Sequence, residues 1–326
     1  MSSNESLLRK ADLALSDLTT GGGILNPEQA DTFIRKLIKQ PTILRECRVV
    51  TMAAPTRKIN RISFSTRILQ ATPGSGTALS SGNRVKPTTD QVTLTSQEIV
   101  AEVHLPYDVV EDNIEHAVTA NNEVMNTGPG GLRDTVIQMI AEYASRDIED
   151  YALNADTAYT NADAPTQAFY SQQDGFLKRG NASGNVADNA GATVSKNLFK
   201  KGLFAMPVQY LRNRPALKHY VSVQQEIEYQ DTLANRGTPM GDQRLVTNTP
   251  AMAYGSPIVP VPLMPDAQGI FCDPLNLIVG FWRQISMEFD KDIAARVYII
   301  VLTARIALQV EQADAMVVYK NIGLPA

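Results

Sequence analysis

The sequence predicts an α+β fold in which a polar hairpin stands away from the packed body. Three observations predict it. Helical periodicity is confined to the first 235 residues. Strand periodicity is concentrated around residues 61–105 and again in the C-terminal stretch. Between the strand-like runs of the first group lies TPGSGTALSSGNRVKPTT, residues 72–89, glycine-dotted and polar. A compact domain rarely needs a loop of that length.

The chain has 326 residues and 44% hydrophobic content, enough for a core and for two or three compact regions. A net charge of −4 argues against nucleic-acid binding over the whole surface. Cys47 and Cys272 lie far apart without a CxxC neighbour, so both are expected to be buried free thiols. The first 23 residues lack the apolar core of a signal peptide, and no window approaches eighteen uninterrupted apolar residues. A soluble protein, or part of a soluble assembly, is expected, with no membrane partner.

From the N-terminus, residues 5–18 present Leu7, Leu8, Ala11, Leu15 and Leu18 on one side of a short helix, broken by Gly21–Gly23. A second helix is predicted over 27–39, with Asn26 as cap and Pro27 in the first turn. In RISFSTRI, Ile62, Phe64, Thr66 and Ile68 alternate with polar residues, which predicts a half-buried strand. In QVTLTSQEIVAEVHL, Val92 and Leu94 share one phase while Ile99, Ala101, Val103 and Leu105 share the other. The phase change near Ser96–Glu98 predicts a bulge or a change of environment along one long strand. The two runs make a hairpin with 72–89 as its tip.

A helix is predicted from Leu132 to about Leu153, with Val136, Ile137, Ile140, Ala144, Ile148 and Tyr151 in a stripe. It would span roughly 33 Å. GPGG at 128–131 precedes it without a strand or a GKS/T element, so it reads as a plain turn rather than a phosphate loop. Residues 157–195 read as loops, 196–212 and 222–235 as helices, and 237–265 as loops with short edge strands. LNLIVGFW, ISMEFD, RVYIIVLTARIALQVEQ and AMVVYK are four strand candidates for a central sheet.

Convergent chemistry is missing from this pattern. His104, His116 and His219 have no ligand-spaced partners beyond the loose His104–Asp108 and Asp112–His116 pairs, and there is no GxSxG, Walker lysine, HExxH or CxxC. Asp147, Glu149 and Asp150 read as a solvated helix face, and Phe281, Trp282 and Tyr298 as core. No catalytic residue, cofactor or metal is expected.

The order of elements, together with TARIALQVEQADAMVVY at 303–319 and GILNPEQADTFIRKLIKQPTILRECRVVTM at 23–52, resembles the major capsid proteins of tailed bacteriophages with the Hong Kong 97-like fold. The likeness covers most of the chain and is weakest over 157–265. It implies an N-terminal arm at 1–25 and an extended loop at 55–104. It further implies a peripheral domain of 26–54, 105–156 and 263–326, with a spine helix at about 132–154, and an axial domain at 157–262. The implied function is a structural, non-enzymatic shell subunit, forming hexamers and pentamers of an icosahedral head around double-stranded DNA. The implied partners are further copies of itself, a portal, a separate scaffold and decoration proteins. The location would be the virion, after assembly in the host cytoplasm. Members that crosslink themselves use an Asn and a Glu where this chain has Arg296 and Thr303, so self-crosslinking is not expected. The alternatives are a cellular nanocompartment shell of the same fold and an enzyme with an unrecognised site in 157–262.

Charge is divided along the hairpin. Residues 56–90 hold six basic residues, Arg57, Lys58, Arg61, Arg67, Arg84 and Lys86, against Asp90; residues 91–131 hold seven acids and no Lys or Arg. Pairing of 91–105 back on 57–69 would place Arg61 near Glu98 and Arg57 near Glu102. That leaves Arg84 and Lys86 at the tip, and Glu111, Asp112, Glu115 and Glu123 farther on, as candidate inter-subunit contacts.

Overall fold

A computed structural model describes residues 42–64, 67–72, 74, 76–106, 132–234 and 250–324. The arm at 1–25, the helices expected over 5–18 and 27–39, and the GPGG turn lie outside the described residues.

Strands β1 (Arg48–Thr51), β2 (Thr56–Ser63), β3 (Thr88–Thr95) and β4 (Gln97–Pro106) come first. Helix α1 (Leu132–Asn154) follows, then α2 (Ala164–Tyr170), α3 (Phe176–Ala182), β5 (Val186–Asp188) and α4 (Lys196–Ala205). A 3-10 segment, Val208–Ala216, leads to β6 (Lys218–Val221) and α5 (Val223–Ala234). The remaining strands are β7 (Met252–Ala253), β8 (Ser256–Pro260), β9 (Gly269–Cys272), β10 (Leu277–Asp292), β11 (Val297–Val310) and β12 (Met316–Lys320).

The C-terminal strands divide between two sheets instead of forming one. The first sheet has the order β1-β10-β11-β4 and the second β5-β12-β9-β6-β8-β7. LNLIVGFW and ISMEFD are one strand, β10, with register shifts between Phe281 and Ser286 that bend it. The near-continuous apolar run of β12 follows from burial on both faces. Met316 and Val318 join Ile270 and Cys272 in the core beneath α1 and α3, while Val317 and Tyr319 join Phe271, Leu198, Phe199 and Tyr229 beneath α4 and α5.

The core beneath α1 reaches across to the first sheet. Ile148, Tyr151, Ala152 and Leu153 pack with Leu277, Val279, Ile306 and Leu308, so one helix binds both sheets into one body. The opposite face of the first sheet is smaller. There Val50, Met52, Ile278 and Ala307 receive Leu94 and Ile59 from the root of the hairpin.

Residues 157–195 are more regular than the sequence suggests. They hold α2, α3 and β5, each too short for periodicity to show. The helix expected over 196–212 ends at Ala205, because Pro207 follows and Pro215 interrupts the next turns. Of Asp147, Glu149 and Asp150, read as a solvated face, only Asp147 is exposed. Glu149 is buried, and its Oε1 accepts the backbone N–H groups of Thr42 and Ile43, each at 2.6 Å. Asp150 accepts from Asn154 at 2.6 Å and from the Tyr170 hydroxyl. Cys47 and Cys272 are buried free thiols, as expected, and burial pushes the Cys47 thiol up to about 12.

Candidate subunit-contact site

The hairpin is β2 paired antiparallel with β3, from Thr56 opposite Thr95 to Ser63 opposite Thr88. The phase change read at Ser96–Glu98 is where the chain changes sheet. Ser96 donates from both its N–H and its hydroxyl to the Pro55 carbonyl, at 2.9 and 3.0 Å, and closes the hairpin root. Beyond it β4 leaves β2 and pairs with β11. Each half therefore buries its own phase: Val92 and Leu94 in β3, Ile99 and Leu105 in β4.

The predicted partners of Arg61 and Arg57 change accordingly. β3 ends at Thr95, so Asp90 stands opposite Arg61 and Leu94 opposite Arg57. Arg61 donates to the Asp90 carboxylate, which holds that carboxyl below its usual range, and also to the Glu311 carbonyl. Glu311 in turn pairs with Arg48 at 2.9 Å. Arg57 donates to the Thr51 carbonyl. Glu98 pairs with Arg305, whose Nε lies 2.7 Å away and whose guanidinium lies 4.2 Å from the centre of the Trp282 ring. Glu102 contacts His104 at 2.6 Å. The root is thus anchored by charge-assisted bonds to the body, and Arg305 of the TARIALQ stretch is one of the anchors.

The far part of the hairpin is different. Strand β2 stops at Ser63, and the expected half-buried alternation through Ile68 is not observed. Ile62 is 70% exposed and Leu69 83%, and Phe64 and Ile68 are also more than half exposed. No other described part of the chain buries them. At the tip, Arg84 Nε donates to the Leu79 carbonyl at 3.1 Å, which fixes the turn, and Lys86 is exposed. Glu111, Asp112, Glu115 and Glu123 lie outside the described residues.

A catalytic centre is not assembled among the described residues. No group of three or more His, Cys, Asp or Glu that could hold a metal ion occurs there. His219 is fully buried, stacked on Phe271 with centroids 4.2 Å apart, and its Nδ1 is 2.8 Å from the Tyr319 hydroxyl. Burial lowers its pKa to about 3, so it is neutral. In an open cavity near Tyr210, two of the polar side chains are engaged within the chain: Asp273 accepts from Leu275 N–H at 3.0 Å, and Asn276 donates to the Gln312 carbonyl at 2.9 Å. Arg296 sits at φ 54° in the β10–β11 turn, where Asp292 accepts from Ala294 and Ala295, and Thr303 lies on β11 opposite Ser286.

A body of two sheets around one long helix, with an anchored hairpin whose outer part bears unburied apolar residues, has the form of a shell subunit. Solved structures agree in fold. A chain of the satellite phage P4 procapsid that includes the size determination (Sid) protein matches with a TM-score of 0.65 at 12% identity, over 100% of this chain and 99% of that one. A chain from Mycobacterium phage Cain matches at 0.57 and 13%, over 97% and 100%. The holo-SrpI encapsulin complex of Synechococcus elongatus PCC 7942 matches at 0.57 and 12%, over 96% and 98%. No protein-family model matches the chain. YqbE of Bacillus subtilis strain 168, named as a prophage capsid protein, is 38% identical over 325 residues, 96% of this chain and 97% of that protein. The chain belongs to this family of phage capsid proteins, and its role is structural.

Proposed function

We propose that the chain is the major capsid protein of a phage head and self-assembles into hexamers and pentamers of an icosahedral shell around double-stranded DNA. The observation that carries this is the hairpin. Its root is bonded to the body through Arg61, Arg57 and Ser96, while Ile62, Phe64, Ile68 and Leu69 are left exposed beyond it. Such a strip is stable in water chiefly when another copy covers it.

In this proposal residues 1–25 are the arm and 55–104 the extended loop. Residues 26–54, 105–156 and 263–326 are the peripheral domain with α1 as spine, and 157–262 are the axial domain. β9 and β12 fall within 263–326 by number but pair with axial strands. Portal, scaffold and decoration proteins are the further partners. Packaged DNA meets the inner face without sequence specificity, the particle forms in the host cytoplasm, and no catalytic step is required.

Negative-stain microscopy of the protein produced with its scaffold should show closed shells. A subunit that stays monomeric in that setting sinks the proposal. The hairpin contact is tested separately. Arg84→Glu with Lys86→Glu should impair shells without unfolding the subunit, and Glu111→Lys with Glu115→Lys should partly restore them. Each exposed pair contributes only about 0.2–1 kcal/mol, so the effect should grow as salt falls. Normal assembly of the tip variant across a range of salt would remove charge as what holds the tip.

The likeness to an encapsulin favours a second reading, a nanocompartment shell around protein cargo. Purified particles that hold protein cargo and no nucleic acid would select it.

A further inference from the structure

The second sheet carries two helices whose outward sides complement each other. α4 packs over β5 and β12, and α5 over β8, toward opposite ends of the strand order. The two helices meet in the core through Phe199 and Tyr229, ring centroids 4.9 Å apart. Their exposed sides therefore look outward from two flanks of the same layer.

On α4 the exposed stripe is Lys196, Lys200 and Phe204, at i, i+4 and i+8, with Val208 just beyond the helix. Phe204 is 78% exposed and Val208 82%. On α5 the exposed stripe is Val223, Ile227 and Asp231, at the same spacing, with the half-exposed Glu228 beside it. Charge divides between the helices as sharply as it does along the hairpin. Residues 189–225 hold six basic residues and no acid, whereas Glu226, Glu228 and Asp231 follow with no base among them. Two of the six bases are committed within the chain: Lys201 donates to the Asp188 carbonyl and Lys218 pairs with Glu46. Lys196 and Lys200 are not among those two, and the Lys200 ammonium lies 5.5 Å from the centre of the Phe204 ring, within the same stripe.

The order of residues within each stripe sets a direction. α4 runs from charge to apolar, and α5 from apolar to charge. Laid antiparallel with the ends in register, Lys196 meets Asp231, Lys200 meets Glu228 beside Ile227, and Phe204 meets Val223, with Val208 just past that end. Each helix stripe spans about 12 Å, so the ends coincide. We infer that α4 of one copy packs antiparallel against α5 of the next copy through these stripes. Pairing α4 with α4 antiparallel about a two-fold axis would set Lys200 against Lys200 and Lys196 against Phe204, which favours the head-to-tail arrangement. A head-to-tail contact leaves one α4 and one α5 open at each step and so repeats until a ring closes. This inference rests on the shell reading, to which it assigns the contact that closes each capsomer around its axis.

The test uses the full chain produced with its scaffold. Lys196→Glu with Lys200→Glu should lower the yield of shells roughly tenfold at low salt, and Glu228→Lys with Asp231→Lys should do the same. The chain carrying all four reversals should return to within about twofold of the wild type, because the pairs are re-formed with their signs exchanged. A second measurement does not depend on reversed variants folding. Lys200→Cys and Glu228→Cys chains, made separately and co-assembled, should give on mild oxidation a two-chain covalent band that neither gives alone. The buried Cys47 and Cys272 do not compete. Wild-type shells with no such band and no effect of either reversal overturn this inference and leave the shell reading intact. A wild-type chain that forms no shell overturns both. Loss of packaged DNA on reversal of Lys196 and Lys200, unrestored by the four-residue exchange, assigns the basic stripe to nucleic acid instead and also overturns it.

Discussion

Replacing Glu149 should separate two roles of a buried carboxylate at the junction of α1 with residues 42–47. Its Oε1 is the acceptor for the N–H groups of Thr42 and Ile43, and Ile43 is completely buried. The same short segment supplies Glu46, which bonds to Lys218 and to the Tyr220 hydroxyl on the second sheet. Glu149→Ala leaves two backbone donors without an acceptor, that of Ile43 buried and that of Thr42 part-buried. At about 1–3 kcal/mol for each unsatisfied group, with some relaxation, the loss should be about 2–5 kcal/mol. Glu149→Gln keeps an oxygen able to accept both bonds and removes the charge. Burial raises the Glu149 pKa, so the ionised form carries a desolvation cost that the amide does not. The glutamine variant should therefore lie within about 1 kcal/mol of the wild type at neutral pH. The sign with pH follows from the raised pKa. The native state holds its proton to higher pH than the unfolded chain, so this group's stabilisation is full below the unfolded pKa and is lost as pH rises through the folded one. Relative to wild type, Glu149→Gln should accordingly look worse in acid and better as pH rises. Urea unfolding of the unassembled subunit, followed by circular dichroism, measures all three quantities. A glutamine variant as unstable as the alanine variant would refute the assignment of Glu149 as an acceptor, as would an alanine variant costing under about 1 kcal/mol.

Three further outcomes are expected. His219, held neutral with a pKa of about 3, should make the subunit about 2 kcal/mol less stable at pH 5 than at neutral pH, because the unfolded imidazole protonates near 6.5; denaturant titrations at the two pH values, with His219→Gln showing a shallower slope, check this. Gly202→Ala should destabilise by about 1–3 kcal/mol in thermal melts despite its better helix propensity, because the added Cβ would lie 2.2 Å from the Tyr319 hydroxyl, which is already bonded to His219. Mature particles should dissociate to single chains in denaturing gels, since Arg296 and Thr303 stand where crosslinking members need Asn and Glu; a covalent ladder surviving boiling and reductant would contradict this.

The sequence carried the long features and lost those that depend on which partner a residue meets. α1 was legible because its 23 residues repeat one stripe, and β4 because Ile99 to Leu105 keep one phase. The strand exchange at Ser96 was legible as a phase change, but its cause was not. A bulge and a change of sheet leave the same trace in one chain, and only the position of β11 distinguishes them. Ile62 and Phe64 alternate like buried residues, yet alternation records only that a face is apolar. Whether the covering surface belongs to the same chain is not written in the period. Glu149 was misjudged for a related reason. Its acidic neighbours suggested water, but it follows Ile148 and precedes Ala152 by three, which places it on the flank of the buried stripe. A carboxylate there needs donors, and the donors come from residues 42 and 43, more than a hundred positions away.

The same limit explains why the proposed contact surfaces divide as they do. Within the body, each apolar run finds a second apolar run of the chain, and both faces of β12 are filled. On the hairpin and on the outer sides of α4 and α5, apolar residues instead lie beside charges of a single sign. That combination is costly to leave in water and costly to bury against itself, because like charges would meet. It is stable against a surface of the opposite sign, and this chain carries opposite signs on neighbouring elements in both places: basic at 56–90 and acidic at 91–131, basic at 189–225 and acidic at 226–231. A subunit patterned in this way disfavours pairing with itself about a two-fold axis and favours the next copy in a ring. Its assembly should therefore depend on salt more steeply than its folding, since the body is held by apolar contacts and buried bonds that salt screens little.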